Sequence, residues 1–341
     1  MKRRTLFWWA VCVCIVLLFF LNLLSGAVDI PARQVVSLLL GKGLDIDEST
    51  RFIVLGSRLP QVVTALLCGS SLAVCGLMLQ TVFRNPLADP SILGISSGAG
   101  LGVAVVMLFL GGGISIGAMS VGGFFAVLLA AFAGASAAAF FMYFLSTLVR
   151  SNSVLLIAGI IFGYVSSSAI ALLNFLASAD GIRAYMSWGL GSFGGVSASR
   201  LPVFCAASVL GMLASVLMVK PLNVLVLGEQ YAESLGVRTR TLRNRVLVVA
   251  GLLSAVATAF CGPISFLGLA VPHVARMLFR TDDFRILLPS SAAIGGAVAM
   301  LCNYCCNAPF GGNAIPVNVI TPIIGAPIVV YVMMKGRRRG F

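Results

Sequence analysis

Apolar residues run almost without interruption through ten stretches of this chain: Leu6 to Leu24, Leu59 to Phe83, Ile92 to Leu110, Gly122 to Val149, Val154 to Leu176, Leu201 to Val219, Val246 to Phe260, Phe266 to Leu278, Ile286 to Cys306 and Ile320 to Met334. A bilayer core about 30 Å thick needs roughly 20 apolar residues for one helical crossing. The apolar and polar positions never alternate in the way a membrane barrel requires. The pattern therefore predicts an all-α, polytopic integral membrane protein of about ten transmembrane helices, forming one domain over residues 1–341. Phe266 to Leu278 is too short to cross alone. It predicts a half-depth or broken helix, which a membrane tolerates only where it is buried in protein or lines a cavity.

Composition excludes a soluble alternative: 60% of residues are hydrophobic and 10% charged, with a mean hydropathy of +1.07, against about 25% charged in an ordinary soluble domain. The few cations then set the orientation, because Lys and Arg near span ends stay on the cytoplasmic side. Counting spans from a cytoplasmic N-terminus puts Lys2, Arg3, Arg4, Arg84, Arg150, Lys220, Arg238, Arg240, Arg243, Arg245, Arg276, Arg280, Arg285, Lys335, Arg337, Arg338 and Arg339 inside. Only Arg33, Lys42, Arg51, Arg58, Arg183 and Arg200 fall outside. The bias predicts both termini in the cytoplasm of a multi-pass inner-membrane protein. The formal charge of +13 thus reports topology, and nucleic acid is not implied as a partner. The opening MKRRTLFWWAVCVCIVLLFFLNLLSGA imitates a secretory signal, with Ser25 and Ala27 near a cleavage-like site. Its apolar run exceeds the usual 7–15 residues, so it reads as an uncleaved first span.

Chemistry-bearing residues are sparse. Cys12, Cys14, Cys68, Cys75, Cys205 and Cys261 lie in apolar runs, where a thiol acts as a small hydrophobe. The C-x-x-C-C cluster of Cys302, Cys305 and Cys306 has the look of a metal or disulfide site, but no His, Asp or Glu accompanies it, and packing is the simpler reading. The Gly-rich run Gly94–Gly100 suits close helix approach. No G-x-x-x-x-G-K-[ST] loop is present, so no cofactor is expected on this chain and any ATP and Mg must be held by another. The single histidine, His273, lacks an acidic neighbour in sequence, and no Ser-His-Asp set or H-E-x-x-H zinc pair can be assembled. Catalytic residues and metal ligands are therefore not expected, and the chain does not read as an enzyme. Ion-coupled carriers keep ionisable groups inside their spans, where each costs at least about 2.5 kcal/mol. The spans here hold essentially none, which disfavours a proton-coupled carrier, although sodium sites built from backbone carbonyls escape that argument.

The longest charged stretch is Gly228 to Arg245, GEQYAESLGVRTRTLRNR. Glu229 to Leu235 predicts a two-turn helix with Gly236 as its C-terminal cap. Tyr231, Ala232 and Leu235 share an apolar face, and Glu229 and Glu233 an acidic one. A helix this short persists only with tertiary or partner contacts; a solvated loop helix is the plain alternative.

The G-E-x-x-A-x-x-L-G-V of this stretch resembles the coupling segment of type II ABC importer permeases that carry iron-siderophore, haem and cobalamin complexes. Further matches follow in that family's order: Arg58-Leu59-Pro60; Gln80 with Arg84-Asn85-Pro86-Leu87-Ala88-Asp89-Pro90; Leu93-Gly94; Trp188 with Gly191 and Phe193; Gly262-Pro263-Ile264 with Phe266-Leu267-Gly268-Leu269; Pro272-His273 with Arg276; Asp283 with Arg285; Ile315-Pro316-Val317; and Gly325-Ala326-Pro327. The resemblance implies one subunit of a homodimeric permease, ten helices per subunit, with two cytoplasmic ABC ATPase subunits and a periplasmic or lipid-anchored solute-binding protein as partners. It implies that Gly228, Glu229, Ala232, Leu235 and Gly236, within a coupling segment 228–238, enter a cleft of the ATPase. It places a cytoplasmic gate at Ser151, Asn152 and Ser153, for which a helix N-cap is the alternative role. It assigns binding-protein docking to Arg58 and to the positions of Gln61 and Asn307, where other permeases may carry Arg.

Besides Gln61 and Asn307, three more positions depart from the family pattern: Asn303 stands for an Asp, Phe284 for the His of Asp-His-Arg, and Asn318 for the Gly of Pro-Val-Gly. The implied cargo is an iron-siderophore first, with cobalamin or haem behind it. An ion-coupled secondary transporter or channel, and an intramembrane enzyme or scaffold, are the competing functions.

Overall fold

The computed structural model describes residues 2–26, 28–41, 46–111, 113–116, 119–149, 151–307 and 315–337. Ala27, Lys42, Arg150, Arg338 and Arg339 of the charge and cleavage-site readings lie outside the described residues. Each of the ten apolar stretches forms helix. They are α1 (Lys2–Leu24), α4 (Leu59–Val82), α5 (Ile95–Ala104), α6 (Phe124–Leu148), α7 (Asn152–Leu176), α9 (Leu201–Val216), α12 (Thr239–Cys261), α13 (Leu267–Phe279), α14 (Phe284–Asn307) and α15 (Val317–Arg337). Between them lie α2 (Ala32–Leu39), α3 (Glu48–Arg51), α8 (Ala179–Gly189), α10 (Val219–Val226) and α11 (Glu229–Ser234). Among the described residues, six helices are long and apolar enough to cross a membrane, or seven when the bent pair α9–α10 counts as one span; α5, α13 and α15 are shorter.

A hairpin and a bend alter the expected spans. An antiparallel hairpin, β1 (Gly113–Ile116) and β2 (Met119–Gly122), closes the α5–α6 connection and takes Gly122 from the expected span. The expected span Leu201 to Val219 is bent: α9 stops at Val216, the chain turns by 49°, and Pro221 enters the first turn of α10. Proline suits a first turn because its missing N–H has no partner to lose there.

The centre of the fold is α4. It continues α3 through a π-helical stretch, Phe52–Arg58, into one 35-residue rod, and 83% of that rod's most apolar window is buried, against 17% in α7. α12, α13 and α14 pack around α4. Their backbones approach so closely that side chains are excluded. A Cβ built on Gly69 of α4 would lie 2.3 Å from the Gly295 carbonyl oxygen of α14, and one on Gly98 of α5 would lie 2.5 Å from that of Gly134 in α6. Helices in lipid gain no hydrophobic drive toward each other and associate through such close packing. The opposite surfaces stay apolar, as with Phe175, Leu217 and Tyr164 at 86%, 76% and 72% exposure.

α13 fits the expectation of a short helix buried in protein. Its thirteen residues are bounded by left-handed Phe266 and Arg280, and Gly268, Ala270, Val271, Pro272, His273 and Ala275 are all buried.

Candidate functional site

Four helix termini, the ends of α4 and α6 and the starts of α7 and α12, gather on one side of the molecule, with α10 and α11 packed beside α12. Here α11 stands between α10 and α12. Its end is a Schellman turn: the Val237 N–H donates to the Ala232 carbonyl (2.9 Å) and the Gly236 N–H to that of Glu233 (2.9 Å). Gly236 adopts φ +84°, a left-handed conformation that costs an L side chain energy but not glycine. Gly228 opens the helix at φ 124°. Glu229 lies in the first turn, where a carboxylate meets the positive end of the helix dipole, and the Thr239 hydroxyl donates to Glu233 Oε1 at 2.8 Å.

The expected apolar face is corrected. Ala232 is fully buried within its own chain, while Tyr231 and Leu235, four residues apart, remain 54% and 55% exposed. A helix this short needs an anchor on its own subunit, and Ala232 is the residue that faces inward. The surface left for a partner consists of Tyr231 and Leu235 with the exposed Glu229, Glu233 and Gly236.

The family-motif residues after α4 meet α13. Asn85 Oδ1 accepts from the Leu87 N–H (2.9 Å), and His273 Nε2 pairs with the Pro86 carbonyl (2.8 Å). His273 thus has a backbone partner and a structural role. Pro272 removes one helical donor, leaving the Gly268 carbonyl without its i+4 partner. The Gln80 amide reaches that carbonyl at 3.5 Å and the Leu269 carbonyl at 3.1 Å, while Arg276 Nη1 donates to Gln80 Oε1 at 2.8 Å. Buried Pro90 and Gly94, at φ +79°, carry the chain into α5; a Cβ on Gly94 would meet Phe162 at 2.6 Å. Asp89 is buried with its carboxylate accepting from the Ser91 N–H and hydroxyl, and burial pushes its pKa above the ordinary value. Arg84, at φ +48°, borders the neighbouring segment, since a Cβ on Gly228 would lie 4.0 Å from its Nη2.

Of the expected gate residues, only Asn152 is held by other helices of its own subunit. Ser151 caps α7, accepting from the Val154 N–H at 3.4 Å. Asn152 is held from both ends: its Nδ2 donates to the Val82 carbonyl of α4 (3.1 Å), and its Oδ1 accepts from Arg243 Nη1 of α12 (3.0 Å). Ser153 is exposed.

On the opposite side Arg58, the expected docking residue, is turned into its own subunit. Its side chain is buried and donates to the carbonyls of Leu23 (2.8 Å), Leu24 (2.9 Å) and Val28. These carbonyls include the last ones of α1, which have no intrahelical donor; a guanidinium with its fork of donors is suited to them. Gln61 and Asn307 do come together, but through Asn303. Gln61 Nε2 donates to Asn303 Oδ1 (2.9 Å), Asn307 Nδ2 to the Asn303 carbonyl (3.0 Å), and Asn303 Nδ2 to Asn22 Oδ1 (2.8 Å). A neutral amide network thus joins these positions. Asn318 likewise serves as a staple: its Nδ2 donates to the carbonyls of Gly189 (3.1 Å) and Pro263, and its Oδ1 accepts from the Ser265 N–H (3.3 Å).

Sequence reading missed Arg243 and Asn223. Arg243 is 6% exposed, unlike its basic neighbours Arg240 and Arg245. The available signal was spacing: Val246, Leu247 and Ala250 stand three, four and seven residues on, so Arg243 lies on the buried stripe. Asn223 of α10 donates to Asp283 Oδ1 (2.8 Å) and accepts from the Phe284 N–H (2.7 Å), tying α10 to the start of α14. The Arg285 N–H and then Asn223 hold the Asp283 carboxyl below its ordinary pKa.

Comparison with known proteins agrees with this architecture. The sequence model of the FecCD transport family matches residues 14–335. The vitamin B12 import system permease protein BtuC of Klebsiella pneumoniae subsp. pneumoniae is 34% identical over 284 residues, 83% of this chain and 82% of the relative. That of Salmonella arizonae is 33% identical, with 82% of each covered. A solved structure described as a metal-chelate type ABC transporter in an inward-facing conformation superposes with a TM-score of 0.81 at 25% identity, covering 96% of this chain and 98% of its own. With the family pattern matched over nearly the whole length and the helical fold shared end to end, the chain belongs to the FecCD transport family.

Proposed function

We propose that this chain is the membrane permease of an ABC importer for a metal chelate, working as a homodimer with two ATPase subunits and a solute-binding protein. The observation that carries this reading is α11, a helix of six residues with its own Schellman cap, anchored by Ala232 and presenting Tyr231, Leu235, Glu229 and Glu233 outward. Such a helix is marginal unless a partner completes its contacts. Membership of the FecCD family supports an ATPase cleft as that partner. Nucleotide closure there moves α11, and α10 and α12 carry the displacement into the membrane. The names of the vitamin B12 relatives and of the metal-chelate transporter support a chelated cargo; iron-siderophore, cobalamin and haem complexes belong to that class. ATP and Mg are held by the partner.

The test is co-reconstitution of the permease, its ATPase and its binding protein in proteoliposomes, with uptake of cobalamin and a ferric siderophore measured. Glu229→Arg and Leu235→Asp leave the anchor Ala232 untouched; each is expected to abolish ATP-driven uptake while the permease still folds. Uptake at the wild-type rate in both variants, or uptake without any ATPase, overturns the proposal.

A further inference from the structure

The proposed stroke begins at α11 and must reach α7 and the ends of the other spans, and one side chain joins these parts. Arg243 lies in the second turn of α12, the helix that directly follows α11. Its Nη2 donates to the carbonyls of Ser146 (2.8 Å) and Val149 (2.9 Å), at the end of α6, and its Nη1 to Asn152 Oδ1 (3.0 Å), at the start of α7. The Asn152 amide passes the connection on to the Val82 carbonyl (3.1 Å), at the end of α4. A second tie runs alongside, from the Ser146 hydroxyl to Asn244 Oδ1.

The chemistry suits a latch. The last carbonyls of α6 have no intrahelical donors and carry the negative end of the helix dipole. A guanidinium is the one side chain that is always charged and offers several donors in a rigid planar fork. Asn152 can accept from Arg243 and donate to Val82 at once because its amide has both an acceptor and donors. An ionised aspartate would keep the acceptor and lose the donor. Two neighbouring side chains thus join the α6–α7 junction to α4 and α12, both far from it in sequence.

We infer that Arg243, with Asn152 as its relay, is the positioning residue through which displacement of the coupling segment reaches the α6–α7 gate and the end of α4. The inference rests on the reading of α11 as the ATPase-coupling helix. A displaced α12 carries the guanidinium with it, and the α6 terminus, α7 and α4 follow as one body or are released together. Ser151 and Ser153, on either side of Asn152, then move because their neighbour is held. Neither has to be held itself.

The experiment is hydrogen–deuterium exchange mass spectrometry on the intact permease–ATPase complex, without nucleotide and with ATP and vanadate. It needs no transported substrate and no cysteine labelling. In the wild type, nucleotide is expected to change exchange both in 228–238 and in 146–156. In Arg243→Lys, whose ammonium lacks the planar fork, and in Asn152→Ala, the response of 228–238 is expected to persist while that of 146–156 is lost. Asn152→Asp keeps the acceptor for Arg243 but not the donor to Val82, and is expected to restore the response of 146–156 and not that of the end of α4. A merely structural role would raise exchange in all these segments before nucleotide is added, without separating them. If 146–156 responds in both Arg243→Lys and Asn152→Ala as it does in the wild type, the inference is overturned alone. If 228–238 of the wild type ignores nucleotide, the coupling reading falls and takes the inference with it.

Discussion

Arg58 donates to the carbonyls of Leu23, Leu24 and Val28, so its charge is spent inside the subunit, on the end of α1. Gly26 lies against it, since a Cβ there would sit 2.7 Å from Arg58 Nη2. Hydrogen bonds to a charged donor contribute about 1.5–3 kcal/mol, and burying acceptors unpaired costs a similar amount. Arg58→Met is therefore expected to lower stability by about 1.5–3 kcal/mol, and to leave the affinity of folded permease for the binding protein unchanged. Thermal unfolding in detergent and a binding titration separate the two effects; an unchanged melting temperature with weakened docking would restore the surface role. The same distinction applies to the amides. Gln61, Asn303 and Asn22 form a chain of amide hydrogen bonds across three helices, continued by Asn22 to the carbonyls of Leu18 and Met300, and such a network is costly only where a member is left unsatisfied. Residue type and family position indicated that Arg58, Gln61 and Asn307 matter. They could not say which way each side chain points, because that depends on helix rotation.

Among the elements, the short helix α11 was the most legible. Glutamate at its start, glycine at its end and the i, i+4 spacing of its acids are local signals, and local hydrogen bonds realise them. Gly236→Ala is expected to cost about 1 kcal/mol, because alanine pays the left-handed conformation that glycine does not, whereas Gly236→Asn, which tolerates that conformation, should cost less. Unfolding of the isolated permease reads the first difference, and ATPase stimulation in the complex reads whether the cap also serves coupling. Less legible were α2, α8, α10 and the hairpin. The helices among them are amphipathic but only 8 to 11 residues long, too short to stand out as apolar runs, and the bend between α9 and α10 arises at Leu217–Met218 with no proline at the break. The face of α11 was misjudged for a related reason: a single turn of helix has two apolar sectors, and only the packing of α10 and α12 selects Ala232 as the inward one.

At the scale of the whole molecule, the grouping of helix ends agrees with the alternation expected of successive spans. The ends of α4, α6 and the starts of α7 and α12 meet at Arg243 and Asn152, while the end of α1 and the start of the α4 rod meet at Arg58. Which side faces the cytoplasm rests on the cation bias. A reporter active only in the cytoplasm is expected to work when fused after residue 341 or inserted at Gly236, and to be silent within 193–196; the reverse pattern would invert the topology and remove α11 from reach of an ATPase.

Hydropathy and family order, which are properties of the linear chain, were enough to determine the membrane class, the ten helical stretches, the short buried α13 and the place of α11, because water exclusion and local caps act on consecutive residues. Tertiary structure alone decided that Arg58 and Arg243 are buried braces, that Gln80 answers the carbonyl freed by Pro272, and that Asn152 joins three helices. Those roles are set by which helices cross and at what rotation, and a guanidinium or amide takes whatever acceptors that crossing brings within about 3 Å.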